Sequence, residues 1–107
     1  MPRVRRGRIV EDRIARRYKK AGFIVERRKI TAAGEIDILA KRNKKRYAIE
    51  VKHSNKGRII TSSEVRKLHK KARSVRANPV LILSGNAKLS KIGKKEANKT
   101  GTRVRIC

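Results

Sequence analysis

Negative charge is the scarcest commodity in this 107-residue chain: 8 Asp and Glu stand against 33 Lys and Arg, for a formal charge of +25. So lopsided a balance carries no information about fold, but it does about partners. Like charges at this density repel, and a polyanion relieves the repulsion; nucleic acid is the default polyanion for a basic domain. Aromatic residues make up only 3% and tryptophan is absent. That argues against a surface that reads single strands by stacking bases, and for contacts to backbone and shape. The single cysteine, Cys107, is the last residue. It has no partner for an internal disulfide, which suits a reducing compartment, and is read as an inert thiol. There is no long apolar run and no lipidation signal, so a membrane is not expected as a partner. The start, MPRVRRGRIVEDR, has the charge of a signal peptide without the apolar stretch behind it. An intracellular protein, cytoplasmic or nucleoid-associated, is expected. Abundant Lys and Arg with few aromatics also suit a heat-adapted protein.

What is present suffices for one domain, 1–107, with a small core inside a charged shell: apolar residues are 37% and charged residues 38%. The first six residues read as a basic flexible arm. From Gly7 to Ala21, Val10, Ile14, Tyr18 and Ala21 recur at helical spacing, and Gly22 is a stop signal. Phe23 to Ile30 alternates, with Phe23, Val25 and Arg27 on one side and Ile24, Glu26 and Arg28 on the other. Thr31 to Gly34 reads as a turn, Glu35 to Ala40 as a second strand, Lys41 to Lys45 as a hairpin loop, and Arg46 to Lys52 as a third strand. Residues 53–62 form a loop, in which Ile59 and Ile60 add a short extended piece. A helix is expected over Ser63 to Arg76, capped by Ser62 or Ser63, with Val65, Leu68, Ala72 and Val75 inward. Asn78-Pro79 ends it. Val80 to Leu83 is a continuous apolar run and reads as a buried strand. A basic helix over Leu89 to Lys99, a break at Gly101 and a last strand over Thr102 to Ile106, with Val104 and Ile106 on one face, complete the chain. The order α-β-β-β-α-β-α-β predicts an α/β fold with a central mixed sheet flanked by helices. The first three strands pair antiparallel, and the fourth joins parallel through a helical crossover.

Three of the 8 acids, Glu35, Asp37 and Glu50, fall between Gly34 and Lys52. By alternation, Glu35 and Asp37 share one face of the second strand, and Ile36 and Ile38 the other. Glu50 and Lys52 share a face of the third strand with Ala48, opposite Tyr47, Ile49 and Val51. A hairpin across KRNKK brings Asp37 and Glu50 together with Lys52 beside them. Neighbouring carboxylates repel unless something positive lies between them. Two solutions exist: a salt-bridge web with the surrounding Lys and Arg, or a hard divalent cation such as Mg²⁺, typically held by one or two carboxylates, water and substrate phosphate. A nucleic-acid binder gains nothing from acids facing its ligand unless a cation bridges them.

Asp37, then Glu50-Val51-Lys52, with a helical Glu11 upstream, resembles the core of the restriction-endonuclease-like PD-(D/E)xK nuclease superfamily. Residues 7–84 are most similar to archaeal Holliday junction resolvases: a glutamate on the first helix, Gly22-Phe23 before strand one, and Ile49 to Lys52 as an IEVK-type third strand. The tail from Pro79 to Ile106 is similar to Mrr-type nucleases. No proline precedes Asp37; Ile36 stands there. The resemblance implies a metal-dependent DNA endonuclease, selective for structures such as Holliday junctions or Mrr-like, active as a homodimer, with Mg²⁺ as cofactor and Mn²⁺ able to substitute. It implies Asp37, Glu50 and the Val51 carbonyl as metal ligands, Lys52 as catalytic lysine, and Glu11 completing or supporting the metal site. Glu35 either joins this face or pairs with a nearby Arg, and Glu64 is first a capping residue.

DNA is expected to be held through its phosphates by Arg6, Arg8, Lys56, Arg58 and Arg66, with Ser54 on the active face. His53 points away from Lys52 and reads as structural, and Tyr18 and Tyr47 read as packing. The composition alone fits equally a non-catalytic basic nucleic-acid-binding protein of ribosomal or chromatin type. A nuclease fold that has lost its chemistry is a further reading, against which the intact Asp37, Glu50 and Lys52 argue.

Overall fold

A computed structural model describes residues 6–107, with side chains from Arg8 onward. Residues 1–5 of the expected basic arm and the Arg6 side chain lie outside the described part, and the Arg6 backbone already belongs to a helix. Helix α1 covers Arg6–Lys20. It buries Val10, Ile14 and Ala15 and turns Arg13, Arg16, Arg17, Lys19 and Lys20 to solvent. It ends in a tight C-terminal motif: the Gly22 N–H donates to Lys19 O at 3.0 Å and the Phe23 N–H to Tyr18 O at 3.0 Å. This closure needs a left-handed residue at position 22, and Gly22 has φ 91°. It also brings the Phe23 ring edge-on to Tyr18, with centroids 5.1 Å apart, and Tyr47 meets Phe23 from the other side at 5.9 Å. The two tyrosines therefore serve packing.

Strands β1 (Ile24–Thr31), β2 (Gly34–Arg42) and β3 (Lys45–Ser54) form an antiparallel meander. The hairpin between β2 and β3 is tighter than the expected five-residue loop. Both strands run on to Arg42 and Lys45, leaving only Asn43 and Lys44 in the turn. Asn43 takes a left-handed φ of 58°, which asparagine tolerates better than most residues. Ile59 and Ile60 form β4, which pairs parallel with β6 (Lys88–Leu89) in a separate two-stranded ribbon. Helix α2 covers Ser62–Ser74. Its N-cap is Thr61, not Ser62 or Ser63, because Thr61 forms a reciprocal capping box with Glu64. Strand β5 (Asn78–Gly85) pairs parallel with β3, and β7 (Arg103–Ile106) parallel with β5. Helix α3 covers Lys91–Thr100; Ser90 caps it, and Leu89 belongs to β6 instead.

The main sheet has the order β1-β2-β3-β5-β7. Helix α1 covers one face, where Val10, Ile14 and Ala15 pack with Ile38, Ala40, Ile49, Val80 and Ile82. Helices α2 and α3 cover the other, where Val65, Leu68 and Ala97 pack with Leu81 and Leu83. Alternate residues of β5 thus enter different cores, which explains its unbroken apolar run. Each fully buried Ile or Leu in these cores contributes about 1.5–3 kcal/mol relative to exposure. The expected fold class and strand pairing hold. Among the described residues no helix is long and apolar enough to cross a membrane.

The alternation fails at one place. Ile36 and Ile38, two apart, enter opposite cores: Ile36 packs with Ala48 and Ala72 beneath α2, and Ile38 packs beneath α1. The reversal lies at Asp37 and, across the ladder, at Arg28. Pairing runs Arg27↔Ile38 and resumes in the same register at Lys29↔Ile36, with Arg28 and Asp37 left unpaired between them. Arg28 has φ 53°, a left-handed conformation that disrupts the pleat. The two guanidinium groups expected on opposite sides of β1, those of Arg27 and Arg28, consequently reach the same carboxylate.

Candidate active site

The interruption in the sheet opens a cleft of about 770 Å³. Its lining is Arg8, Glu11, Arg28, Glu35, Asp37, Glu50, Val51, Lys52, His53, Arg58 and Lys71. The tight hairpin determines the register that builds it. Ile38 pairs with Ile49, so Asp37 and Glu50 come next on facing strands, where the paired ladder stops. In place of a ladder bond, the Val51 N–H donates to Asp37 Oδ2 at 2.9 Å. This ties the Asp37 carboxylate to the peptide that follows Glu50.

The electrostatics of the pair are unfavourable without a cation. Burial, and then the Glu50 charge, push the Asp37 carboxyl up to about 6, against smaller opposing pulls from the Val51 N–H, Lys52 and Lys71. Glu50 is itself only 8% exposed. Its Oε2 accepts from Lys71 Nζ at 3.1 Å and lies 3.8 Å from Lys52 Nζ. Lys52 Nζ is also 3.7 Å from Glu64 Oε1, and Glu64 pairs in turn with Arg58. The same Glu64 accepts the Thr61 N–H through Oε2 at 2.9 Å. Burial opposes its charge, but the Thr61 N–H, Arg58 and Lys52 outweigh that and hold it below the usual carboxylate range. Glu64 is therefore a capping residue, as expected, and a counter-charge to Lys52 as well.

Glu11 borders the same cleft from α1. Its Oε1 accepts from Arg27 Nη2 at 2.9 Å and lies 3.7 Å from Arg28 Nη2, while Arg27 also donates to Asp12 Oδ1 at 2.6 Å. Among the described residues no three or more His, Cys, Asp and Glu side chains converge as a ready-made metal cage. Two opposed carboxylates and a neighbouring backbone fit a hard divalent cation that completes its shell with water and substrate oxygens, the usual habit of Mg²⁺. A soft or borderline metal would want His or Cys, and the one histidine in the cleft is engaged elsewhere. His53 Nδ1 lies 3.0 Å from Ser84 Oγ and Nε2 lies 3.1 Å from Asn55 Oδ1.

The expected phosphate contacts divide. Arg8 and Arg58 border the cleft. Ser54 Oγ accepts the N–H groups of Lys56 and Arg58, each at 3.1 Å, and so shapes the loop after β3. Lys56 is exposed on that loop. Arg66 points toward α3 and pairs with Glu96 at 3.3 Å. Glu35 is exposed at the cleft edge, and among the described residues its carboxylate forms no ion pair, which leaves the arginine alternative without a partner among them. Lys71 went unnoticed in the sequence. Its only signal was its place on the inner side of α2, one turn beyond Leu68 and next to the buried Ala72.

No curated protein sequence matches the chain. Among solved structures it is similar to a protein of unknown function (TM-score 0.74, 23% identity, 91% of this chain and 56% of that one). It is also similar to a repair endonuclease from Pyrococcus abyssi (TM-score 0.70, 16% identity, 100% of this chain and 48% of that one). A third likeness is to EndoMS in complex with double-stranded DNA (TM-score 0.73, 18% identity, 100% of this chain and 47% of that one). The chain thus spans about half the length of these structures, and the likeness is one of fold. At the level of sequence it matches the archaeal Holliday junction resolvase (hjc) family over residues 2–105. That match takes in nearly the whole chain, including the β2–β3 hairpin with Asp37, Glu50 and Lys52; the chain belongs to the archaeal Holliday junction resolvase family and has the restriction-endonuclease-like nuclease fold.

Proposed function

We propose that this chain is a divalent-cation-dependent endonuclease that hydrolyses DNA phosphodiesters at branched structures such as four-way junctions. The observation that carries the reading is that Asp37 and Glu50 come next after the Ile38↔Ile49 pair on facing strands, with Lys52 beside Glu50, in a cleft also lined by Arg8, Arg28, Arg58 and Lys71. Asp37, Glu50 and the Val51 carbonyl would hold the cation, with Mg²⁺ the expected ion and Mn²⁺ a substitute. When bound, such an ion polarises a phosphoryl oxygen and lowers the pKa of water.

The chain's own residues do the rest. Val51 N–H fixes the Asp37 carboxylate, and Lys71 fixes one oxygen of Glu50. Lys52, flanked by Glu50 and Glu64, is placed to offset negative charge on the phosphate and to hold or pass the proton of the attacking water. Glu11 supports this site from α1 by organising Arg27 and Arg28. Arg8 and Arg58, which border the cleft, meet phosphates along it, and Ser54, Lys56, Arg66 and Arg6, whose side chain lies outside the described residues, are proposed as further phosphate contacts. Symmetric cutting of two strands calls for two such sites, and a homodimer is the simplest way to supply them.

The test is cleavage of labelled four-way junction, duplex, flap and single-stranded DNA with Mg²⁺ and then with EDTA, beside an Asp37→Ala protein. Cation-dependent cutting of the junction by wild type, and tight binding without cutting by Asp37→Ala, is the expected result. Tight binding with no cleavage of any substrate would instead favour a non-catalytic binding protein.

A further inference from the structure

Lys71 reaches the cleft from α2 and bonds the Glu50 carboxylate on which the proposed chemistry depends. It is held more closely than a surface lysine. Its side chain is 14% exposed, and Nζ donates to Glu50 Oε2 at 3.1 Å and to the Glu35 carbonyl at 2.9 Å. Its stem runs over the β1–β2 turn, where a Cβ on Gly34 would come within 3.3 Å of Lys71 Cδ. The turn is thus bare where the lysine crosses it. Gly34 also has φ 128°, a conformation that strains any L side chain, and a Cβ there would press on the lysine stem.

An ammonium pinned on a buried carboxylate beside a second carboxylate does electrostatically what a metal ion would do. With Asp37 and Glu50 ionised, Lys52 and Lys71 bring the four groups to neutrality. A divalent cation entering among them would leave a net charge of two, which the single negative charge of a phosphodiester offsets only in part. We propose that Lys71 is the built-in counter-cation of this site: it holds Glu50 in position while the metal is absent and competes with the metal for the Glu50 carboxylate. Lys71 is then a positioning residue that keeps cation affinity low until DNA phosphate arrives. Lysine suits the task better than arginine, because its single ammonium on a flexible stem can swing off the carboxylate while keeping its bond to a carbonyl. The inference rests on the reading of Asp37 and Glu50 as the cation's ligands.

The experiment is Mn²⁺ binding to the full chain without DNA, followed by the loss of the free-ion electron paramagnetic resonance signal. Wild type, Lys71→Met, Lys71→Arg and Glu50→Gln are compared. Lys71→Met should bind Mn²⁺ about tenfold more tightly, the size of one unfavourable unit charge at the edge of a solvated site. Lys71→Arg keeps the charge and should stay within about twofold of wild type. Unchanged or weaker binding by Lys71→Met would overturn the inference while leaving the cation site intact. Binding to wild type that is indifferent to Glu50→Gln, or no binding at all, would overturn the site and the inference together. A second measurement needs no folded variant: the Lys71 side-chain ¹⁵N resonance of the wild type should shift on addition of Mg²⁺, and a resonance that stays put would sink the competition.

Discussion

The two ends of the cleft solve one problem differently. Glu11 and Glu50 are buried to nearly the same degree, 7% and 8% exposed, and each carboxylate lies near two cations. At the Glu11 end both cations are arginines from adjacent positions of β1, and one of them is shared with Asp12. At the Glu50 end both are lysines, from β3 and α2, and a second carboxylate stands alongside. A guanidinium is permanently charged and bonds through a rigid fork, so it makes a closed pair; an ammonium is a mobile point charge that can be displaced. The arginine end is built to stay as it is and the lysine end to exchange its partners. On that contrast rests the proposal that a cation binds at Asp37 and Glu50, with Glu11 as a brace.

The largest effect should separate the ends by activity. Glu50→Gln is expected to lower junction cleavage by about a thousandfold or more, against about ten- to a hundredfold for Glu11→Gln, in single-turnover assays with Mg²⁺. Equal losses would make Glu11 a ligand in its own right and merge the two ends into one site. The order should invert for stability. Arg27→Met leaves the buried Glu11 with Arg28 alone and should cost about 3 kcal/mol in urea unfolding, whereas Lys52→Met should cost less than about 1 kcal/mol.

A third measurement uses pH. Asp37 titrates at about 6 in the folded protein and near 3.8 when unfolded. The native state therefore binds more protons than the unfolded state between these values. Stability falls as pH rises through that window and stays lower above it. In EDTA, Asp37→Asn should stabilise the protein at pH 8 by on the order of 2 kcal/mol and leave it unchanged near pH 3.5. Mg²⁺ should erase the wild-type deficit at pH 8. A pH-independent effect of the substitution would show that packing, and not the facing charges, distinguishes this end. The smallest effect is expected from Glu35→Gln, because that carboxylate is exposed and without an ion pair among the described residues. Stability should shift by less than about 0.5 kcal/mol, with cleavage near wild type. A loss of tenfold or more in cleavage would extend the lysine end outward to Glu35.

Much of this was legible in the chain. The expected hairpin and the period-two patterning of the third strand suggested Asp37, Glu50 and Lys52 as neighbours, although the alternation of the second strand fails at Asp37 itself, and helical spacing identified the inward face of α2. These signals are local, and each is repeated several times over. Thr61, Ser62 and Ser63 are all suitable N-cap residues, and only the bonds to Glu64 distinguish Thr61. The left-handed Arg28 left no trace, since arginine has no preference for that conformation and the reversal at Asp37 follows from how two strands pair. Lys71 was hidden for a plainer reason: among 33 cations, nothing in the sequence marks the one that reaches across to a β-strand.

By itself, then, the sequence determined the order of elements, the inward faces of the helices and the scarcity of acid that made Asp37 and Glu50 conspicuous, because these depend on neighbours along the chain. Only the tertiary structure decided which cations stand against which carboxylates. Charge pairing depends on distance across strands and helices, and a residue's electrostatic partners are chosen when those elements pack.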